Sequence, residues 1–230
     1  KDVPAKYEKG GLLGPGGTSD IPTRNELLEV YQKRLIPYLV DDKGNLTTFE
    51  KAHIDEDEYI AEYRKTGYYK QPLKLIYMIM PNSDAKEQKP IGYVIPVNGF
   101  GLWDAIYGYL AIKTDGDTVI GISWYDQKET PGLGANISEE YWQDLFPGKL
   151  IFQETANGQT DFKTAPIGIT VVRGKVSEVL GDSPKAKSAV DGMAGATLTG
   201  NGVTESYKYV LSAYRPFLIN LHNSFKKTGK

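Results

Sequence analysis

Three short segments put small residues, hydroxyls and carboxylates together in patterns that could do chemistry. One is Asp191-Gly-Met-Ala-Gly-Ala-Thr-Leu-Thr-Gly-Asn-Gly202. Its small side chains strip the backbone bare around Thr197, and a helix expected directly after it would add free amides and a partial positive charge. That arrangement suits a phosphate. No Gly-Lys-Ser/Thr follows, so a nucleoside-triphosphate loop is not supported. The second segment, Glu129-Thr-Pro-Gly-Leu-Gly134, is a rigid Pro-Gly turn flanked by a carboxylate and a hydroxyl, as a site for a planar polar ring would need. The third, Gly99-Phe-Gly-Leu-Trp103, allows close backbone approach just before a large aromatic. It lacks the third glycine of a dinucleotide fingerprint, since Asp104 stands there. Taken singly, each segment also fits a plain feature: a helix cap, a turn, and a strand end with a core tryptophan.

Composition removes other chemistries. With no cysteine, the chain has no disulfide, thiolate nucleophile, iron–sulfur cluster or cysteine-ligated zinc. The two histidines, His53 and His222, do not stand at ligand spacing from each other and read as surface or helix residues, so no metal site is expected. A net charge of −2, from 27 basic and 29 acidic residues, gives no reason to expect nucleic acid as a partner. The longest apolar run, Leu75 to Met80, is strand length and far short of the ~18 residues of a membrane span. The chain opens at Lys1 without methionine, which is the expectation after removal of a tag, a signal peptide or a membrane anchor.

The elements that must position these segments can be read in outline. Residues 1–22 are rich in Gly, Pro and charge and read as a linker or arm, leaving 23–230 as one domain. Thr23 and Glu26 have capping-box spacing, and Leu27, Val30, Tyr31 and Ile36 recur near the helical period, which predicts a helix over 24–37 ended by Pro37. Strands are predicted at Leu73–Met80, Ile91–Val97, Tyr107–Lys113, Val119–Trp124 and Ile167–Val172, with Asp115-Gly-Asp making the third and fourth a hairpin. Asn136 or Ser138 could cap a short helix through Phe146. After Asn201, Val203, Tyr207, Val210, Leu211 and Tyr214 predict a helix that Pro216 interrupts or ends. Strands in mid-chain with helices at both ends predict an α+β fold with an antiparallel-rich central sheet.

The segment at Asp191–Thr197 resembles the flavinylation motif of the FMN-binding domain family, roughly Asp-x-x-(Ser/Thr)-Gly-Ala-(Thr/Ser). Thr197 holds the last position, which in that family is joined to FMN by a phosphoester bond. The Gly-Leu-Trp stretch ending at Trp103 and the Glu-Thr-Pro-Gly-Leu-Gly stretch ending at Gly134 are similar to two further hallmarks, in the same order. Position 194 departs from the pattern, with Ala where Ser or Thr is usual, which bears on flavin loading. Within the family, the length before the first motif and the tail Pro216-Phe-Leu look most like the C subunits of Na+-translocating NADH:quinone reductases. The G subunits of Rnf electron-transport complexes come next, and a flavin-free assembly module of the same fold is a third reading.

The resemblance implies FMN bonded covalently to Thr197, with Trp103, Thr130, Gly132, Leu133, Gly195, Ala196, Leu198 and Thr199 around the cofactor and Asp191 as part of the flavinylation motif. Trp103, Leu133 and Leu198 would face the ring, and Thr130 and the loop amides its polar edge. It also implies an N-terminal membrane helix ahead of residue 1, a flavin domain on the periplasmic side of a bacterial inner membrane, partner subunits of a redox complex, and a separate flavin transferase. Thr197 is a weak nucleophile at its own pKa and has only Asp191 near it in sequence, so it would be the substrate of that transferase. No catalytic residue is expected in the chain, which would relay electrons as one subunit of the complex.

Overall fold

The computed structural model describes residues 33–81, 89–155 and 157–228. Six strands form one antiparallel sheet: β1 (Leu35–Val40), β2 (Leu46–Thr47), β3 (Lys74–Ile79), β4 (Gly92–Phe100), β5 (Ala105–Lys113) and β6 (Val119–Asp126), in the order β2-β1-β3-β4-β5-β6. Strand β5 shows why it forms. Ile106, Gly108, Leu110 and Ile112 are buried on one face while Tyr109 and Lys113 on the other stay exposed, the period-2 pattern of a half-covered strand. The Asp115-Gly-Asp turn joins β5 to β6 as predicted: Asp115 accepts bonds from the amides of Asp117 and Thr118 at 2.9 Å, which closes the turn locally.

The helix α5 (Thr197–Thr228) lies across the Ile106–Leu110 face and buries Val203, Tyr207, Val210, Leu211, Tyr214, Phe217 and Leu218 in the main core. The short helices α1 (Phe49–Ala52) and α2 (Glu56–Tyr63) cover part of the opposite face, where Phe49 and Tyr59 pack on Leu39, Leu75 and Tyr77. Beyond the sheet come α3 (Glu140–Gln143), β7 (Thr170–Val171), α4 (Val176–Val179) and β8 (Ala189–Val190), with β7 and β8 paired in parallel.

Three expectations are corrected. The helix predicted over 24–37 does not reach its end: Leu35–Val40 is strand β1, while residues 24–32 lie outside the described residues. Leu35, Ile36, Tyr38, Leu39 and Val40 favour a pleated, half-buried setting. Strand β2 reaches only Leu39 and Val40, so Pro37 stands at an edge among the described residues, where a missing N–H is tolerated. The C-terminal helix begins at Thr197, ahead of Asn201, and runs through Pro216 to Thr228. Tertiary bonds hold both sides of the proline: Tyr214 Oη donates to Leu75 O at 2.6 Å, and the Arg215 guanidinium donates to Phe162 O and Ala165 O at 2.8 Å. Together with the buried Phe217 and Leu218, these outweigh the loss of one intrahelical bond. The strand predicted at Ile167–Val172 is shorter than expected, with β7 limited to Thr170–Val171 and Ile167 forming a separate bridge to Phe152.

Candidate functional site

Three chain ends meet at one end of the sheet: the β4–β5 turn, the exit of β6 and the start of α5. The first of these is shaped by Gly101, whose amide donates to Asp104 O at 2.9 Å. The second contains Thr130-Pro131-Gly132-Leu133, where Leu133 N donates to Thr130 O at 3.1 Å and Gly132 has φ 74°, the signature of a type II turn with Pro and Gly in its two central places.

Glu129 locks the three segments together. Its carboxylate accepts from Leu102 N and Trp103 N at 3.0 Å and from Thr199 Oγ1 at 2.5 Å, across sequence separations of 27, 26 and 70 residues. Close packing explains glycines in two segments: a Cβ at Gly101 would fall 2.4 Å from Glu129 Oε1, and one at Gly134 2.4 Å from Thr199 Oγ1. Burial pushes the Glu129 carboxyl up, but the donors from Thr199, Trp103 and Leu102 outweigh it and hold the group below the usual carboxylate range.

On the solvent side of this lock stand apolar groups. Trp103 is 67% exposed and Leu198 59%, with Leu133 beside them, so none of the three belongs to the core. Trp103 Nε1 donates to Thr130 Oγ1 at 3.1 Å, which ties the indole to the second segment. Gly195 has φ 70°, and a Cβ there would lie 2.9 Å from Leu133 Cδ2, so the second and third segments touch on this side too. Thr199 and Ala196, in contrast, face inward and are buried.

Thr197 opens α5 with its side chain exposed. Gly200 N donates to Ala196 O at 3.0 Å, which makes Ala196 the residue that caps the helix. Alanine has no side-chain oxygen for the first-turn amides, and those amides have no intrahelical partner. A cleft of about 320 Å³ opens alongside, lined by Arg173, Lys175, Met193, Ala194, Gly195 and Thr197. Uncapped amides, the positive end of a long helix dipole and two cationic side chains together suit a phosphate.

Asp191 holds the loop before Thr197 in place. Its carboxylate accepts from Lys175 Nζ and Val176 N at 2.8 Å, and its carbonyl accepts from the buried Trp142 Nε1 at 3.0 Å. Burial raises this carboxyl, and the Lys175 and Val176 donors more than reverse the effect. Asp191 is therefore occupied in the scaffold and is not placed as a base for the Thr197 hydroxyl.

All the predicted residues are thus brought to one end of the fold, with Trp103, Thr130, Gly132, Leu133, Gly195, Thr197 and Leu198 at the surface and Ala196 and Thr199 beneath it. Sequence reasoning left Glu129 without a role of its own and passed over Arg173, Lys175 and Trp142. Glu129 was visible as the first residue of its segment, but its burial depends on partners that lie far away in the chain.

Comparison with known proteins points to one family. The FMN-binding domain family matches residues 101–212, a span that includes Trp103, the Glu129 turn and Thr197. The chain is 42% identical over 230 residues to the C subunit of the Na(+)-translocating NADH-quinone reductase of Chlamydia caviae, spanning 94% of this chain and 72% of that one. It is also 42% identical to the Chlamydia pneumoniae protein of the same name, with 99% and 76% covered. A crystal structure of the corresponding C subunit from Parabacteroides distasonis superposes with a TM-score of 0.59 at 27% identity, covering 86% of this chain and 85% of that one. Shewanella oneidensis NqrC shares the fold with a TM-score of 0.65 at 21% identity, covering 95% and 97%. With these motifs assembled at one end of a shared fold, and this identity over most of its length, the chain belongs to the family of C subunits of the Na(+)-translocating NADH-quinone reductases.

Proposed function

We propose that this chain is the flavin-carrying subunit of a sodium-translocating NADH:quinone reductase and holds FMN through a phosphoester to Thr197. The observation that carries the reading is the exposed hydroxyl of Thr197 at the uncapped start of α5, beside an apolar surface built from the other two segments. The residues present fit FMN at both ends. The first-turn amides of α5, Arg173 and Lys175 would hold the phosphate, while Trp103, Leu133 and Leu198 would cover the ring and Thr130 would stand at its polar edge. When bound, the flavin supplies reversible uptake and release of electrons.

The chain's own part is to bind, orient and shield. Thr197 contributes one oxygen to the ester, and a separate flavin transferase activates it, since Asp191 is engaged with Lys175 and Val176. Trp103, Leu133 and Leu198 keep water off one side of the ring. Electrons arrive from and leave to other subunits of the complex. No helix among the described residues is long and apolar enough to cross a membrane. In this reading the flavin domain works on the periplasmic side of the bacterial inner membrane, as the family resemblance implies.

Co-expression with a flavin transferase tests the reading. Colour should stay with the chain after denaturation and precipitation, and peptide mass spectrometry should place the FMN adduct on Thr197. Thr197→Val should abolish it, and Thr199→Val should leave it bonded. An adduct on Thr199, or flavin released on denaturation, would overturn the assignment.

A further inference from the structure

The carboxylate of Glu129 lies one layer beneath the surface on which the ring is proposed to rest. Glu129 is 5% exposed, and the partners it bonds are two backbone amides and a hydroxyl, all neutral. Lys128, the adjacent cation, points to solvent and pairs with Asp104 at 2.6 Å. The glycine backbones close in from both sides, since a Cβ at Gly101 would meet Glu129 Oε1 at 2.4 Å and one at Gly134 would meet Oε2 at 2.7 Å. The charge is therefore held away from direct contact with solvent and without a counter-charge among these contacts, where its field is screened less than on the open surface. Three of its contacts also lead to a proposed ring-facing group: Trp103 directly, Leu133 through Gly134, and Leu198 through Thr199.

On the reading that FMN is bound here, we propose that Glu129 is a positioning residue that also sets the flavin's potential. It fixes Trp103 and the Leu133 turn as one platform, and its charge opposes the charge that reduction adds above it. Two electrons taken from a chemical reductant and one proton taken from water leave the ring with one net negative charge at pH 8. Glu129 disfavours that state, and so holds the potential low.

Flavin-loaded protein made with the transferase is titrated at pH 8 with dithionite against a reference dye. Glu129→Gln, which keeps the shape and removes the charge, should move the equilibrium toward reduced flavin at least tenfold, about 30 mV for a two-electron couple. Glu129→Asp restores the charge and should return the potential toward wild type. Thr199→Val keeps the charge but removes one of its donors, and should shift the potential the opposite way from Glu129→Gln. A purely mechanical clamp would give both variants shifts of the same sign. An unmoved potential in Glu129→Gln overturns the proposal, and if that variant does not fold, the sign in Thr199→Val decides. Wild-type protein that takes up no flavin overturns the FMN reading and this proposal with it, whereas loaded wild type with no effect at Glu129 overturns the proposal alone.

Discussion

Trp103 keeps two-thirds of its surface in solvent, at 67% exposure, yet its indole is held by the bond from Nε1 to Thr130 Oγ1. An apolar ring left in water but fixed in orientation is a contact surface in waiting. The exposure decides between two outcomes for Trp103→Ala. A buried tryptophan would cost ~3–5 kcal/mol on truncation, while a surface one should cost roughly 1 kcal/mol or less. The variant should therefore melt close to wild type and retain its flavin through Thr197, but show an altered flavin absorption band. A large drop in melting temperature with an unchanged spectrum would make Trp103 a core residue after all.

At the scale of elements, the approach of α5 to the β4–β5 turn sets the site. Gly202 on the helix would place a Cβ 2.0 Å from Phe100 O, so the helix start and the strand end are in backbone contact. Helix propensity alone favours alanine over glycine by ~1 kcal/mol, but overpacking costs ~1–3 kcal/mol or more. Gly202→Ala should thus lower the melting temperature, and a neutral or stabilising result would mean that the contact yields easily. The β5–β6 turn gives a second test. Burial pushes the Asp117 carboxyl up to about 6, against the bond it accepts from Phe152 N, with Asp115 adding to the rise. The folded chain then holds this proton where the unfolded chain, near the ordinary 3.8, has lost it. Its contribution to stability is full below that value and is lost as pH rises through about 6. Asp117→Asn removes this dependence while keeping an acceptor for Phe152. Its melting temperature relative to wild type should climb by a few degrees between pH 4 and 7, and parallel curves would show that Asp117 is ionised in the fold.

Across the whole molecule, α5 runs about 48 Å at 1.5 Å per residue and ties the site to the far edge of the sheet. Asn220 Nδ2 donates to the carbonyls of Lys43 and Gly44 at 3.1 Å, next to β1 and β2. No Gly-x-Gly-x-x-Gly opens a helix after a strand to seat a nicotinamide dinucleotide. The flavin-loaded domain should therefore accept electrons from dithionite and pass them to a dye, yet remain yellow for minutes when mixed with NADH alone. Rapid, saturable bleaching by NADH would contradict a relay role and point to a self-sufficient dehydrogenase.

The sequence by itself determined strands β3 to β6, the β5–β6 hairpin and the three segments with candidate chemistry, because each of these is written in local signals: period-2 alternation, a turn residue closing its own backbone, and small residues clustered beside a hydroxyl. It also limited the chemistry, since a chain without cysteine and with two histidines has few redox or metal options of its own. Tertiary structure decided the rest. Whether Leu35–Val40 became helix or strand depended on Lys74–Ile79 offering a partner edge, and Pro216 stayed inside α5 because bonds from Tyr214 and Arg215 to distant carbonyls hold the helix across it. The roles of Thr199 and Glu129 were likewise illegible in sequence. A carboxylate becomes a buried junction only when donors from two other segments converge on it, and across the sequence separation of 70 between Glu129 and Thr199 no local signal marks that meeting.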